Sequence, residues 1–170
     1  MKGGFTLIET LVVIAIVAIL STIIIAYSNS GNTRLALFSD RAKISGALER
    51  AKNLSLEKWG GYGGGVACGY GVYFSVPTNS YLIYGYRAPD INSCNSSTTL
   101  PAYNPSSPNY EVIQSLSLSG GVTFSSVSTS SIYFEPPYLN SNGGAVTLMI
   151  GGGNTTSSVE VTSDGGVTSL

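Results

Sequence analysis

Three hydrophobic patterns follow one another along the 170-residue chain. From Leu11 to Ala26 the only polar side chains are Ser21 and Thr22, and the stretch from Phe5 to Tyr27 is 23 residues long. At ~1.5 Å per residue, a helix of that length crosses a bilayer. Between Arg34 and Lys58 the pattern becomes amphipathic. Leu37, Ile44, Leu48, Ala51 and Leu54 recur at helical steps and define one apolar face. Ser28-Asn29-Ser30-Gly31-Asn32 separates the two stretches with residues that weaken helices, so a kink at Gly31 or a continuous helix with a soft spot is expected. Trp59-Gly60-Gly61-Tyr62-Gly63-Gly64-Gly65 reads as the helix stop.

From Val66 the period shortens to two. Val66 to Val76 reads as a strand, Pro77-Thr78-Asn79 as its turn, and Ser80 to Tyr86 as its hairpin partner. Arg87 to Asn109, with four prolines and Cys94, reads as a long loop. Further strands are predicted at Tyr110 to Leu118, Val122 to Phe124, Ser131 to Glu135, Ala145 to Ile150, Ser158 to Thr162 and Val167 to Leu170. Asn142-Gly143-Gly144, Gly151-Gly152-Gly153-Asn154 and Asp164-Gly165-Gly166 read as hairpin turns between them. One long helix followed only by strands predicts an α+β fold, the helix packed on an antiparallel sheet.

Charge refines this picture. Net charge is -1, and only 10% of residues are charged. Six basic residues face three acidic ones between Arg34 and Lys58, a balance of +3, whereas Gly60 to Leu170 carries Arg87 against Asp90, Glu111, Glu135, Glu160 and Asp164, a balance of -4. A solvated helix face beside a weakly acidic domain is the ordinary reading of the split, with a partner surface as the alternative. The same split disfavours a nucleic-acid surface on the distal domain, since phosphate binding needs cations and none follows Arg87. Asp40 with Lys43 and Glu49 with Lys52 are candidate ion pairs at i,i+3.

Catalytic chemistry finds little support. The chain has no histidine, which removes histidine-based triads and metal sites. No Gly-x-Ser-x-Gly elbow occurs, and the glycine run lacks the Gly-Lys-Ser/Thr of a phosphate loop. The acids Glu111, Glu135, Glu160 and Asp164 are scattered over strand ends, where solvated carboxylates are the ordinary reading. The expectation is no enzyme activity and no cofactor. The abundant tyrosines read as cross-strand packing pairs, with a stacking platform for sugars or nucleobases as the sharper alternative. Cys68 and Cys94 would pair in an oxidising compartment and close a ring of about 27 residues; free thiols are the alternative.

One acid interrupts the apolar start. Glu9 lies within the potential span, where an unpaired carboxylate costs several kcal/mol and tends to be functional. Around it, Gly4-Phe5-Thr6-Leu7-Ile8-Glu9 closely resembles the class III signal of type IV pilins and pseudopilins, and Thr10 to Leu20 resembles that family's helix. An ordinary secretory signal would have a shorter apolar core and a small-x-small site after it; Tyr27-Ser28-Asn29-Ser30 is a poor one. The resemblance implies the type IV pilin fold. It divides the chain into a leader, residues 1–4, a membrane and fibre-core helix, 5–27, an amphipathic continuation, 28–59, and a β-rich domain, 60–170.

The resemblance also implies function. A prepilin peptidase would cleave after Gly4 and N-methylate Phe5, and Glu9 would pair with the new amine of a neighbouring subunit. Partners would be other pilin or pseudopilin subunits, the peptidase and an inner-membrane assembly platform. The chain would be single-pass in the inner membrane, its amino terminus cytoplasmic, before entering a fibre. Charge counting alone does not favour that orientation, because Lys2 stands against Arg34, Arg41 and Lys43 on the other side. Tyr70-Gly71-Val72-Tyr73-Phe74, Ser131-Ile132-Tyr133-Phe134 and Val159 to Val167 are similar in pattern to minor subunits of the GspH/FimT type. A minor pseudopilin of a type II secretion system is thus implied; a minor type IV pilin in pilus priming, adhesion or DNA uptake, and a non-polymerising anchored β-domain, are the alternatives.

Overall fold

The computed structural model describes residues 6–57, 66–88, 94, 102–136, 138–151 and 155–170, without the side chains of 25–30. Gly4, Phe5 and the rest of the leader therefore lie outside the described residues, as do the expected helix stop around Trp59 and much of the proline-rich loop. A long helix, α1, runs without interruption over Leu7–Glu57. Among the described residues nine strands follow: β1 (Val66–Ser75), β2 (Ser80–Ala88), β3 (Tyr110–Ser117), β4 (Val122–Val127), β5 (Ser131–Glu135), β6 (Asn140–Ser141), β7 (Gly144–Ile150), β8 (Thr156–Val161) and β9 (Val167–Ser169).

The chain forms two units, residues 1–35 and 36–170. In the first, α1 exposes its apolar side chains all round, from Leu7 to Ile24. Its hydroxyls bond back to their own helix: Thr10 donates to the Leu7 carbonyl at 2.9 Å, Ser21 to that of Val17 at 2.7 Å, and Thr22 to that of Ile19 at 2.7 Å. That suits a medium without water, in which every polar group needs an internal partner.

In the second unit the expected apolar face of the helix is buried. Leu37, Ile44, Leu48 and Ala51 are fully covered, and Leu54 packs beside them. They share one core with two antiparallel sheets, ordered β3-β2-β1-β5-β6 and β4-β7-β8-β9. The first sheet contributes Val72, Phe74, Ile83, Ile132 and Phe134; the second contributes Phe124, Val146, Leu148, Val159 and Val161.

The strand candidates coincide with eight of the nine strands, and β6, only two residues long, carries no periodic signal. Asn142-Gly143-Gly144 differs from its expected role. It is not a hairpin turn but the passage from β6 in the first sheet to β7 in the second. Asn142 explains the geometry: its amide accepts from the Tyr133 N–H at 2.9 Å and donates to the Ser131 carbonyl at 2.7 Å, replacing a strand partner for β5. Gly143 and Gly144, both at positive φ, then redirect the backbone.

Two polar residues on the helix's buried face join the layers. Asp40, 1% exposed, accepts from the Ser119 N–H at 2.6 Å, the Ser119 hydroxyl at 2.8 Å and the Lys43 ammonium at 2.9 Å. It thereby anchors the passage from β3 to β4. Ser55 accepts the Tyr70 N–H at 3.0 Å and lies 3.1 Å from the Phe134 carbonyl, where the β1–β5 ladder ends. The Asp40–Lys43 ion pair forms as expected; Glu49–Lys52 is not among the ion pairs of the described residues, which are Asp40–Lys43 and Arg87–Glu111.

Candidate functional site: the amino-terminal signal and the β-domain

The amino-terminal site is built by the first turn of α1. Thr6 precedes the helix and Glu9 sits three residues on. The Glu9 N–H lies 3.4 Å from the Thr6 hydroxyl oxygen, while the Glu9 carboxylate accepts the Thr6 N–H at 3.2 Å and its hydroxyl at 3.1 Å. The reciprocal arrangement is a capping box, in which side chains satisfy backbone donors that the first helical turn leaves open. The positive end of the helix macrodipole lies at the same place. Thr6 is the capping partner of Glu9, and Thr-x-x-Glu before an apolar run is its legible signal.

From Leu7 to Ile24 the helix carries no charge but Glu9 and has a mean hydropathy of 2.7. The model of the prokaryotic N-terminal methylation motif matches residues 1–25. The amino-terminal segment is a type IV pilin-like class III signal. No curated protein and no solved structure matches the chain. The class III signal thus rests on the family motif together with the apolar helix it opens. It implies processing by a prepilin peptidase and assembly with other pilins, and with the apolar helix it marks membrane anchoring. It is a motif of structural proteins. Gly4 and Phe5, which the signal places at the cleavage point, lie outside the described residues.

The β-domain offers its own candidates. Cys68 and Cys94 form a disulfide with Cα atoms 5.2 Å apart, which ties the residue at the β1 bulge to the stretch after β2. Among the described residues no group of histidine, cysteine and acid could hold a metal ion. Glu111 pairs with Arg87 across the edge of the first sheet, and Asp164 accepts from Thr162 within the β8–β9 turn, which lowers its pKa. These two acids serve separate local contacts, and Glu135 and Glu160 lie on other strands.

The tyrosines form cross-strand packing pairs, some with a ring over a glycine and some ring to ring. Across the strands Tyr84 stands opposite Gly71, and Tyr70 opposite Gly85. A Cβ on Gly71 would lie 2.8 Å from the Tyr84 ring, and one on Gly85 would lie 2.7 Å from Tyr70. Each ring therefore lies over bare backbone. Tyr86 and Tyr110 are a true cross-strand pair, with centroids 5.1 Å apart. Tyr103, from the loop before β3, closes over Tyr73 and Tyr84 at 5.0 Å from each. The faces of Tyr84 and Tyr133 are thus taken up within the domain. Burial raises the pKa of both, and the Ser131 hydroxyl bonded to Tyr84 partly offsets that rise.

Proposed function

We propose that the chain is a structural subunit of a type IV pilus-like fibre, and specifically a minor pseudopilin of a type II secretion-type system. The observation that carries the reading is the methylation motif over residues 1–25, with Glu9 held at the start of an apolar helix. Cleavage after Gly4 would create an amine at Phe5, one residue before the cap. In a packed fibre, away from water, a carboxylate requires a cation or a proton. The Phe5 amine of the adjoining subunit supplies that cation and sets axial register. Within a single subunit the Thr6 cap holds Glu9 in the membrane until a partner arrives. The amino terminus faces the cytoplasm, where the peptidase acts, and the β-domain lies outside it.

The subtype reading draws support from element order: one long amino-terminal helix, then antiparallel strands, closing on β8 and β9 around Asp164-Gly165-Gly166. Mass measurement of the membrane-extracted chain tests the whole. In cells with a prepilin peptidase, the chain is expected to lose Met1 to Gly4 and to gain one methyl group on Phe5. A product still beginning at Met1 refutes the reading. Glu9→Ala is expected to be cleaved normally and to be depleted from sheared fibres; incorporation at the parental level refutes the role of Glu9.

A further inference from the structure

Within the second unit, a cleft of about 240 Å³ opens between the Lys43–Arg50 stretch of α1 and strands β2 and β3. Its polar lining consists of Lys43, Arg50, Tyr81 and Gln114, and Gly46 lies at its helix side. What these groups have to offer is almost entirely hydrogen. Arg50 spends one N–H on the Gln114 carbonyl oxygen and keeps the rest of its fork. Gln114 has its oxygen thereby engaged, leaving its amide N–H groups. Lys43 donates one N–H to the Asp40 carboxylate, and its side chain remains 48% exposed. Tyr81 is 1% exposed, and its hydroxyl is buried without a hydrogen-bond partner among the described residues. A buried hydroxyl left unpaired costs about 1–3 kcal/mol.

Gly46 adds an independent point. A glycine inside a helix costs about 1 kcal/mol relative to alanine. A Cβ at Gly46 would meet nothing within 4 Å, so no contact inside the chain requires the side chain to be absent. Its absence keeps the cleft open. The cleft is smaller than the roughly 300–1,000 Å³ of ordinary small-molecule sites. It suits the tip of a side chain better than a free ligand.

We propose that this cleft receives the carboxylate of an aspartate or glutamate presented by an adjacent pilin-like subunit, a step that rests on the fibre reading above. A carboxylate accepts from guanidinium, ammonium and amide donors together, and charge-assisted bonds of this kind are the strong ones. The chain's own charges show the matching arrangement. Its helix segment carries +3 and its β-domain -4, and Glu160 on β8 is an exposed acid. Subunits of this design, stacked head to tail, bring an acidic domain against a basic cleft, and a heterologous contact of that type propagates into a filament.

Photo-crosslinking in the native assembly system tests the proposal. A benzoylphenylalanine replaces Asn53, which is exposed on α1 one turn after Arg50 and on the same side of the helix. The expected adduct joins the chain to a pilin-like subunit through a peptide containing Asp or Glu. Arg50→Glu and Gly46→Leu are each expected to cut its yield by about tenfold, the scale of one charge-assisted hydrogen bond. Gly46→Leu strengthens the helix, so an unchanged or raised melting temperature separates lost docking from misfolding. The proposal is overturned if the chain enters sheared fibres without the adduct, if the adduct is to a protein of another class, or if neither substitution alters the yield. A chain that keeps Met1 and never enters fibres overturns the fibre reading and this inference together.

Discussion

Individual polar side chains at buried positions decide how the layers of the β-domain meet. Ser55 and Asp40 both lie in phase with the apolar face, Asp40 midway between Leu37 and Ile44 and Ser55 four residues after Ala51. Their burial was therefore legible in the sequence from position, though their partners, 15 and 79 residues away, were not. Ser55→Ala would leave the buried Tyr70 N–H without its acceptor. The expected loss is about 1–3 kcal/mol in chemical denaturation, whereas an exposed serine such as Ser125 changed to alanine should shift the midpoint little. Gly71→Ala tests the ring-over-backbone packing. Its methyl would lie 2.6 Å from the Ile132 carbonyl oxygen and 2.8 Å from the Tyr84 ring, so overpacking by about 1–3 kcal/mol is expected in thermal melts. A fully parental melting temperature would show that the strands adjust freely.

At the scale of elements, hydrophobic period was a good guide where a single face is buried and a poor one where both are. The helix face and the strands up to β5 follow from spacing. The central strand β1 is covered on both sides, so its buried residues run almost unbroken and hide which face meets the helix. The division into two sheets was hidden as well, because Asn142 satisfies β5 through its side chain, and pairing rules see only strands. At the amino terminus the Glu9 signal was plain, whereas its local partner Thr6 was overshadowed by the longer motif containing both. The disulfide belongs to this scale too. It closes a ring across 26 positions between β1 and Cys94, worth about 3.5 kcal/mol through the unfolded chain. Cys94→Ser should lower stability by roughly that amount in chemical denaturation. A parental midpoint would argue that the bridge constrains the unfolded chain little.

The molecule as a whole carries an alkaline liability. Burial raises the pKa of Tyr81 from 10.0 to about 12, and Asp40 nearby adds to the rise; Tyr84 and Tyr133 are also pushed up by burial. The native state thus retains protons that the unfolded chain releases. Stability from these groups is fully present below pH 10, the ordinary tyrosine value, and declines as pH rises towards about 12. A pH titration should show the last phase of tyrosinate absorbance, that of the buried Tyr81, Tyr84 and Tyr133, coinciding with loss of near-ultraviolet dichroism. Smooth, early ionisation of every tyrosine with the fold intact would contradict it.

The chain's repeated crossing between the two sheets has a mechanical outcome. After β3 it enters the second sheet for β4, returns to the first for β5 and β6, and crosses once more for β7 to β9. Neither sheet can be peeled away while the other stays whole, because each is sewn through its neighbour. A pull on the helix should meet a knotless weave that gives way all at once, and a force trace should record a single rupture with no intermediate plateau.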